Sequence, residues 1–223
     1  MARVQRKRVL DEEAAETRST ILRTAEQLFM AHGYRAVSTR QIADACGLTQ
    51  PALYHYFADK QSLYIEVIKE SIAKTRMALE RMVRRHESIQ QRLRRIVRYL
   101  LNSSPQDLGM MLHDIRQELD ASSQERLGEL FQSGIIGPLA SLFEEGLQQG
   151  YLRSQEQGGT DAVTAAYMLM YLLSGDLSRS SRRGSPGSGH EHAEMITQFF
   201  LYGLASTSQG EGRGRHAQPG ENA

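Results

Sequence analysis

The chain has 223 residues, enough for one large or two small domains around a substantial core. Its 27 Lys and Arg nearly balance 26 Asp and Glu, so overall charge points to no polyanionic or polycationic partner. A single cysteine, Cys46, excludes an intrachain disulfide, and no apolar run can span a bilayer; the expected location is the cytoplasm, with no membrane partner.

Charge is uneven locally. The opening "MARVQRKR" holds Arg3, Arg6, Lys7 and Arg8 with no acid and no apolar h-region, so it is not a secretory signal; residues 1–14 are expected to form a basic disordered arm. Beyond it the apolar period is helical. Ile21, Leu22, Ala25, Leu28 and Phe29 mark one face of a first helix, and Gly33 stands where a C-terminal cap belongs. Ser38 or Thr39 can cap a short second helix carrying Ile42, Ala43 and Cys46. Thr49 can cap a third, and Asp59 a fourth that continues through "ESIAKTRMALERMVRR".

Further along, Ile89, Leu93, Ile96, Val97, Leu100 and Leu101 form an amphipathic helix that "NSSPQD" interrupts. Leu108, Met111, Leu112, Ile115 and Leu119 define the next. A long helical stretch then runs to Gly150, with a kink or break expected at Gly137-Pro138. Two apolar helices follow, "DAVTAAYMLMYLLSGDL" and "HAEMITQFFLYGLA", separated by "SRSSRRGSPGSG", which has loop composition. Residues 206–223 are polar and Gly-rich, a disordered tail. The fold class is all-α.

The second and third helices meet at the tight turn Cys46-Gly47-Leu48, which is helix-turn-helix spacing, although an ordinary helical hairpin has the same spacing. The third helix is too short to persist alone, yet it is rich in outward-reaching groups: Thr49, Gln50, Tyr54, His55 and Tyr56. Gln bonds base edges, Tyr and His donate to phosphates, and Lys60 adds a nearby cation. No Ser/His/Asp set, paired carboxylates or phosphate-cradling glycine loop stands in a recognisable context, so no enzymatic activity is expected. His190, His192 and His113 lack enough partners at metal-ligand spacing, and no metal or cofactor is expected.

Residues 21–68, "ILRTAEQLFMAHGYRAVSTRQIADACGLTQPALYHYFADKQSLYIEVI", resemble the DNA-binding domain of the TetR family of bacterial transcriptional regulators. The shared elements are Ala25, Phe29, Gly33-Tyr34, Val37-Ser38-Thr39, Ile42-Ala43, Ala45 to Thr49, Leu53-Tyr54-x-Tyr56-Phe57 and Lys60-x-x-Leu63. Cys46 stands where alanine is usual, and Pro51 replaces a commoner flexible or basic residue. The resemblance implies a helix-turn-helix domain over residues 15–60. It also implies a helical ligand-binding and dimerisation domain over 61–205. The implied partners are a palindromic double-stranded DNA operator, an apolar or aromatic small-molecule effector, and a second copy of the chain. The implied role is a ligand-released repressor; the alternative is a helix-turn-helix activator, or a DNA binder without a ligand.

Carried onto this chain, the implied DNA contacts are Thr39, Arg40, Thr49, Gln50, Pro51, Ala52, Tyr54, His55 and Lys60. Tyr54 and Lys60 fall to phosphates, and Gln50 and His55 to base edges. Tyr56 and Phe57 are assigned to the domain's own core. The expected ligand pocket draws on Met77, Arg81, Met110, Met111, Asp114, Tyr167, Met168 and Tyr171. The expected dimer interface draws on Ala166, Tyr167, Met170, Ile196, Phe199, Phe200 and Gly203, whose apolar stripes suit a four-helix seam.

Overall fold

The computed structural model describes residues 2–103, 108–180 and 188–204. Helix α1 spans Ala2–His32, α2 Thr39–Ala45, α3 Gln50–Tyr56, α4 Lys60–Val83, α5 Ile89–Ser103 and α6 Leu108–Glu118. Then come α7 at Ala121–Phe131, a π-helical turn at Gln132–Ile136, α8 at Gly137–Gln148, α9 at Ala162–Ser180 and α10 at Ser188–Leu204. The architecture is all-α, with no β-strand among the described residues.

The short N-terminal helices exist because their ends are chemically closed. Ser38 caps α2 in a reciprocal box with Gln41, and Asp59 caps α4 in the same way with Ser62. Thr49 caps α3 by accepting the Ala52 N–H at 3.3 Å. Pro51 thus falls in the first turn, where no intrahelical acceptor awaits its missing N–H. At the other end of α2, Gly47 adopts φ +68°, and the Gly47 and Leu48 amides donate to the Asp44 and Ala43 carbonyls at 3.1 and 2.9 Å. That Schellman closure needs a left-handed residue, and glycine adopts it without Cβ strain.

Two expectations change here. Residues 2–14, expected as a disordered arm, continue α1: the run contains no Gly or Pro, so nothing stops the helix from extending backwards. The side chains of Arg3, Arg6, Lys7 and Arg8 lie outside the described ones, as do the tail at 206–223 and residues 181–187 of the loop after α9. Gly137-Pro138 neither breaks nor ends the helical path. The turn widens to π geometry before Pro138, and the Gly137 N–H donates to Gln132 O; a widened turn relieves the clash of a proline ring with the preceding turn. A Cβ on Gly134 in that turn would lie 2.7 Å from Ile72 of α4, so the two segments approach closely.

One apolar core runs the length of the molecule. Ile21, Leu22, Ala25, Phe29, Ile42, Leu53 and Phe57 fill the N-terminal end, as expected for Phe57, while Tyr56 is half-buried against the same core. Helix α4 passes Leu63, Tyr64, Val67 and Ile68 through the middle into the C-terminal helices. There α8 packs on α9 and α5 on α10. Arg92 is buried between them. It donates to both oxygens of Glu145, at 2.7 and 2.6 Å, and to the Val83 carbonyl, at 2.7 Å. Helix α4 is therefore the one long element shared by both ends of the protein among the described residues.

Candidate nucleic-acid interface

Helix α3 stands at the outer end of the N-terminal bundle. Only Leu53 of its seven residues is fully buried, so its remaining faces are available. Pro51, Tyr54 and His55 are exposed, with Arg40 exposed on α2, beside the neighbouring carboxylate of Asp44 at 3.9 Å. Thr49 is exposed but engaged as the cap, and Ala52 is half-buried.

Three of the expected contact residues form one hydrogen-bonded cluster. The Gln50 Nε2 donates to Thr39 Oγ1 at 3.0 Å and to the Tyr54 hydroxyl at 3.4 Å, and the two hydroxyls lie 3.1 Å apart. The hydrogen bonds from Thr39 and Gln50 lower the Tyr54 pKa, since donors to the phenolic oxygen favour its anion. Thr39 is only 8% exposed, whereas Tyr54 is 43% exposed. Thr39, expected as a DNA contact, is nearly buried, and its hydroxyl fastens α3 to α2.

Lys60 is also placed differently from the expected open phosphate contact. Its ammonium lies 4.1 Å from the Tyr34 ring centroid, half-buried, and burial pushes its pKa down. Around it is a seam between the two ends of the molecule that the sequence did not announce. The Tyr34 N–H donates to Asp114 Oδ2 at 2.9 Å, Arg35 pairs with Glu118 at 2.5 Å, and Gln61 Nε2 donates to Asp120 Oδ2 at 2.8 Å. Burial, followed by the nearby carboxylates, raises the Tyr34 pKa. These pairs join residues 59 to 83 positions apart, a separation no local pattern reveals.

The expected ligand-pocket residues are not brought together. Met111 lines a small cavity of about 200 Å³ between α4, α6 and α7, with Ile68, Ile72, Ile115, Leu127 and Phe131. Asp114 is buried but faces Tyr34; Met77 and Arg81 are exposed on α4; the Met110 side chain lies outside the described residues. Tyr167, Met168 and Tyr171 instead line an open apolar groove of about 550 Å³ with Leu172, Phe199, Phe200 and Gly203 on the outer face of α9 and α10.

The expected dimer stripe divides in the same way. Ala166, Met170, Ile196 and Phe200 point into the protomer's own core. Outward-facing positions recur at steps of four: Val163, Tyr167 and Tyr171 on α9, and Met195, Phe199 and Gly203 on α10. Cys46 is half-buried against the core. Among the described residues no three His, Cys, Asp or Glu side chains are placed to share a metal ion, and no helix is long and apolar enough to cross a membrane. His190 and His192 lie outside the described side chains.

This arrangement has relatives. Residues 21–67 match the family model for bacterial regulatory proteins of the tetR family. The chain is 32% identical over 82 residues to the HTH-type transcriptional activator FasR of Mycolicibacterium smegmatis, covering 37% of each protein. To the HTH-type transcriptional repressor AcnR of Corynebacterium glutamicum it is 33% identical over 58 residues, covering 26% of this chain and 31% of the other. The match thus spans about a third of the length of these curated relatives. The fold extends further: the transcriptional regulator FadR of Bacillus subtilis, solved with stearoyl-CoA, superposes with a TM-score of 0.69 at 17% identity over 83% of this chain and 98% of the other. Over its helix-turn-helix the chain is thus similar to the tetR family of bacterial regulatory proteins, and over most of its length it shares the fold of a solved transcriptional regulator.

Proposed function

We propose that the protein is a homodimeric transcriptional repressor that grips a palindromic DNA operator through α3 and releases it when a small apolar molecule binds. The observation that carries this reading is α3 itself: a capped helix behind a glycine turn, exposing Tyr54 and His55 beside half-buried Gln50 from a rigid base. The α9 and α10 face supplies the pairing surface, since an open groove of aromatic and Met side chains is costly to leave in water. Paired there, the two α3 helices must stand about 35 Å apart to enter successive major grooves.

The effector site is the cavity between α4, α6 and α7. Its lining is aliphatic and aromatic apart from Arg116 and Gln124, so it suits a compact apolar group. FadR of Bacillus subtilis, solved with stearoyl-CoA, supports an effector in this class of fold. Helices α4 and α6 carry the response. Met111 and Ile115 of α6 line the cavity, while Asp114 and Glu118 of the same helix hold Tyr34 and Arg35. An effector that displaces α6 therefore disturbs the seat of the DNA-binding end, by no more than its preference for the displaced state.

The test is retardation of palindromic duplexes taken from the DNA flanking the chain's own coding sequence. Sequence-selective retardation, relieved by apolar or aromatic compounds that also raise the melting temperature, is expected. Absence of any sequence-selective retardation overturns the reading. A transcriptional reporter decides the sign, because the curated relatives include both a repressor and an activator.

A further inference from the structure

The Thr39–Gln50–Tyr54 cluster fixes which end of the Gln50 amide is left to read DNA. Three short contacts join these groups: 3.0 Å from Gln50 to Thr39, 3.4 Å from Gln50 to Tyr54 and 3.1 Å between the hydroxyls. Three contacts need three hydrogens, and the two hydroxyls carry one each. With the amide oxygen turned inward, both hydroxyl hydrogens would go to it, leaving the Thr39–Tyr54 contact without a hydrogen. With Nε2 inward, the amide supplies two hydrogens and one hydroxyl supplies the third. One hydroxyl hydrogen is then spare. It belongs on exposed Tyr54 rather than on nearly buried Thr39, where it would have no partner.

Resting on the DNA-binding reading above, we infer that Gln50 reads its base through Oε1 alone, as a single acceptor, with Thr39 as its positioning residue. A free Gln is a bidentate adenine reader, accepting from N6–H and donating to N7. Here the donors are committed within the protein, so the second bond to adenine is absent. An acceptor alone is satisfied equally by the exocyclic amines of adenine and cytosine. It meets only acceptors on guanine and thymine. The specificity is therefore a position that accepts A or C and rejects G and T. Tyr54 keeps its spare O–H for a phosphate oxygen.

The experiment is selection of bound duplexes from a randomised pool with the full chain and with Gln50→Ala, Thr39→Val and Thr39→Ser. Wild type is expected to show one position per half-site that holds A and C within about threefold of each other and disfavours G and T about fivefold. Gln50→Ala abolishes that preference. Thr39→Val frees the amide and shifts the position towards A, and Thr39→Ser restores the A or C pattern. Melting curves confirm that each variant folds. A wild-type preference for A alone, for G or for T at the Gln50-dependent position overturns the inference while leaving DNA binding intact, as does an unchanged pattern in Thr39→Val. Enrichment of no sequence at all overturns the DNA-binding reading with it.

Discussion

The protein exposes aromatic side chains on α3 and on the α9–α10 face, and the two surfaces differ in what surrounds them. On α3, the Tyr54 hydroxyl sits in a polar cluster with Thr39 and Gln50, next to exposed His55 and Arg40. On α9 and α10, Tyr167, Tyr171 and Phe199 stand in a groove whose other walls are Met168, Leu172, Phe200 and Gly203. Exposure of an aromatic ring is common to both and identifies neither partner. The hydrogen-bonding groups beside it do. A tyrosine tip among committed donors suits an acceptor-rich, hydrated surface such as a phosphate backbone, whereas rings among aliphatic neighbours suit another apolar face.

The largest effect that separates these two surfaces is expected from Phe199→Asp. Phe199 is 69% exposed in the protomer, so folding loses little by its replacement. At a two-fold seam the change is made twice, and burying each Phe contributes roughly 1.5–3 kcal/mol. The dimer dissociation constant should rise at least about 100-fold in sedimentation equilibrium, with helicity retained. An unchanged dimer would show that this face pairs with something else. Next is Gly128→Leu. Gly128 lines the small cavity, and a Cβ placed there meets nothing within 4 Å. The new side chain should fill part of the void and raise stability by about 1 kcal/mol from helix propensity alone. As a built-in stand-in for an effector, it should also weaken operator binding about tenfold through α6. Unaltered affinity would place the response elsewhere than at this cavity. Tyr54→Phe should be milder, about fivefold weaker DNA binding at moderate salt from one lost phosphate hydrogen bond, with the dimer untouched.

The contrast between the two surfaces also marks where the sequence was readable. The α2–α3 unit could be placed in advance because each of its signals is local. Ser38 with Gln41, Thr49 before Ala52, and Gly47 after Cys46 act within three or four residues of one another. The stripes of α9 were hard to separate because that helix is apolar nearly all round, so its period does not say which stripe faces in. Ala166 and Met170, assigned to the dimer stripe, turned inward; Tyr167, assigned to both the stripe and the pocket, and Tyr171, assigned to the pocket, turned out. The seam between α6 and the α1–α2 loop had no local signal at all, since Tyr34 and Asp114 are 80 positions apart. Nor could composition reveal that Thr39 and Gln50, both expected to reach DNA, are partners of each other.

The smallest effect lies at that seam and appears in acid. Asp120 caps α7 by accepting from the Ser123 N–H and both serine hydroxyls nearby, and it also accepts from Gln61 at the start of α4. These donors, the Ser122 hydroxyl first, hold its carboxyl well below the usual carboxylate range. A group with a depressed folded pKa stabilises the fold fully above its unfolded value, near 4, and the contribution fades as pH falls further. Glu145, lowered chiefly by hydrogen bonding to Arg92, behaves with the same sign at the opposite end of the C-terminal domain. Wild type should therefore lose stability steadily below about pH 4. Asp120→Asn keeps a capping oxygen but removes the titration, so it should be slightly less stable near neutrality and show a shallower loss in acid. Denaturant unfolding at a series of pH values reads both slopes. Parallel slopes would show that the α7 cap and its tie to α4 are not coupled to protonation of Asp120, leaving the other depressed carboxylates, Glu145, Glu66, Glu80, Glu87 and Asp161, to account for the acid limb.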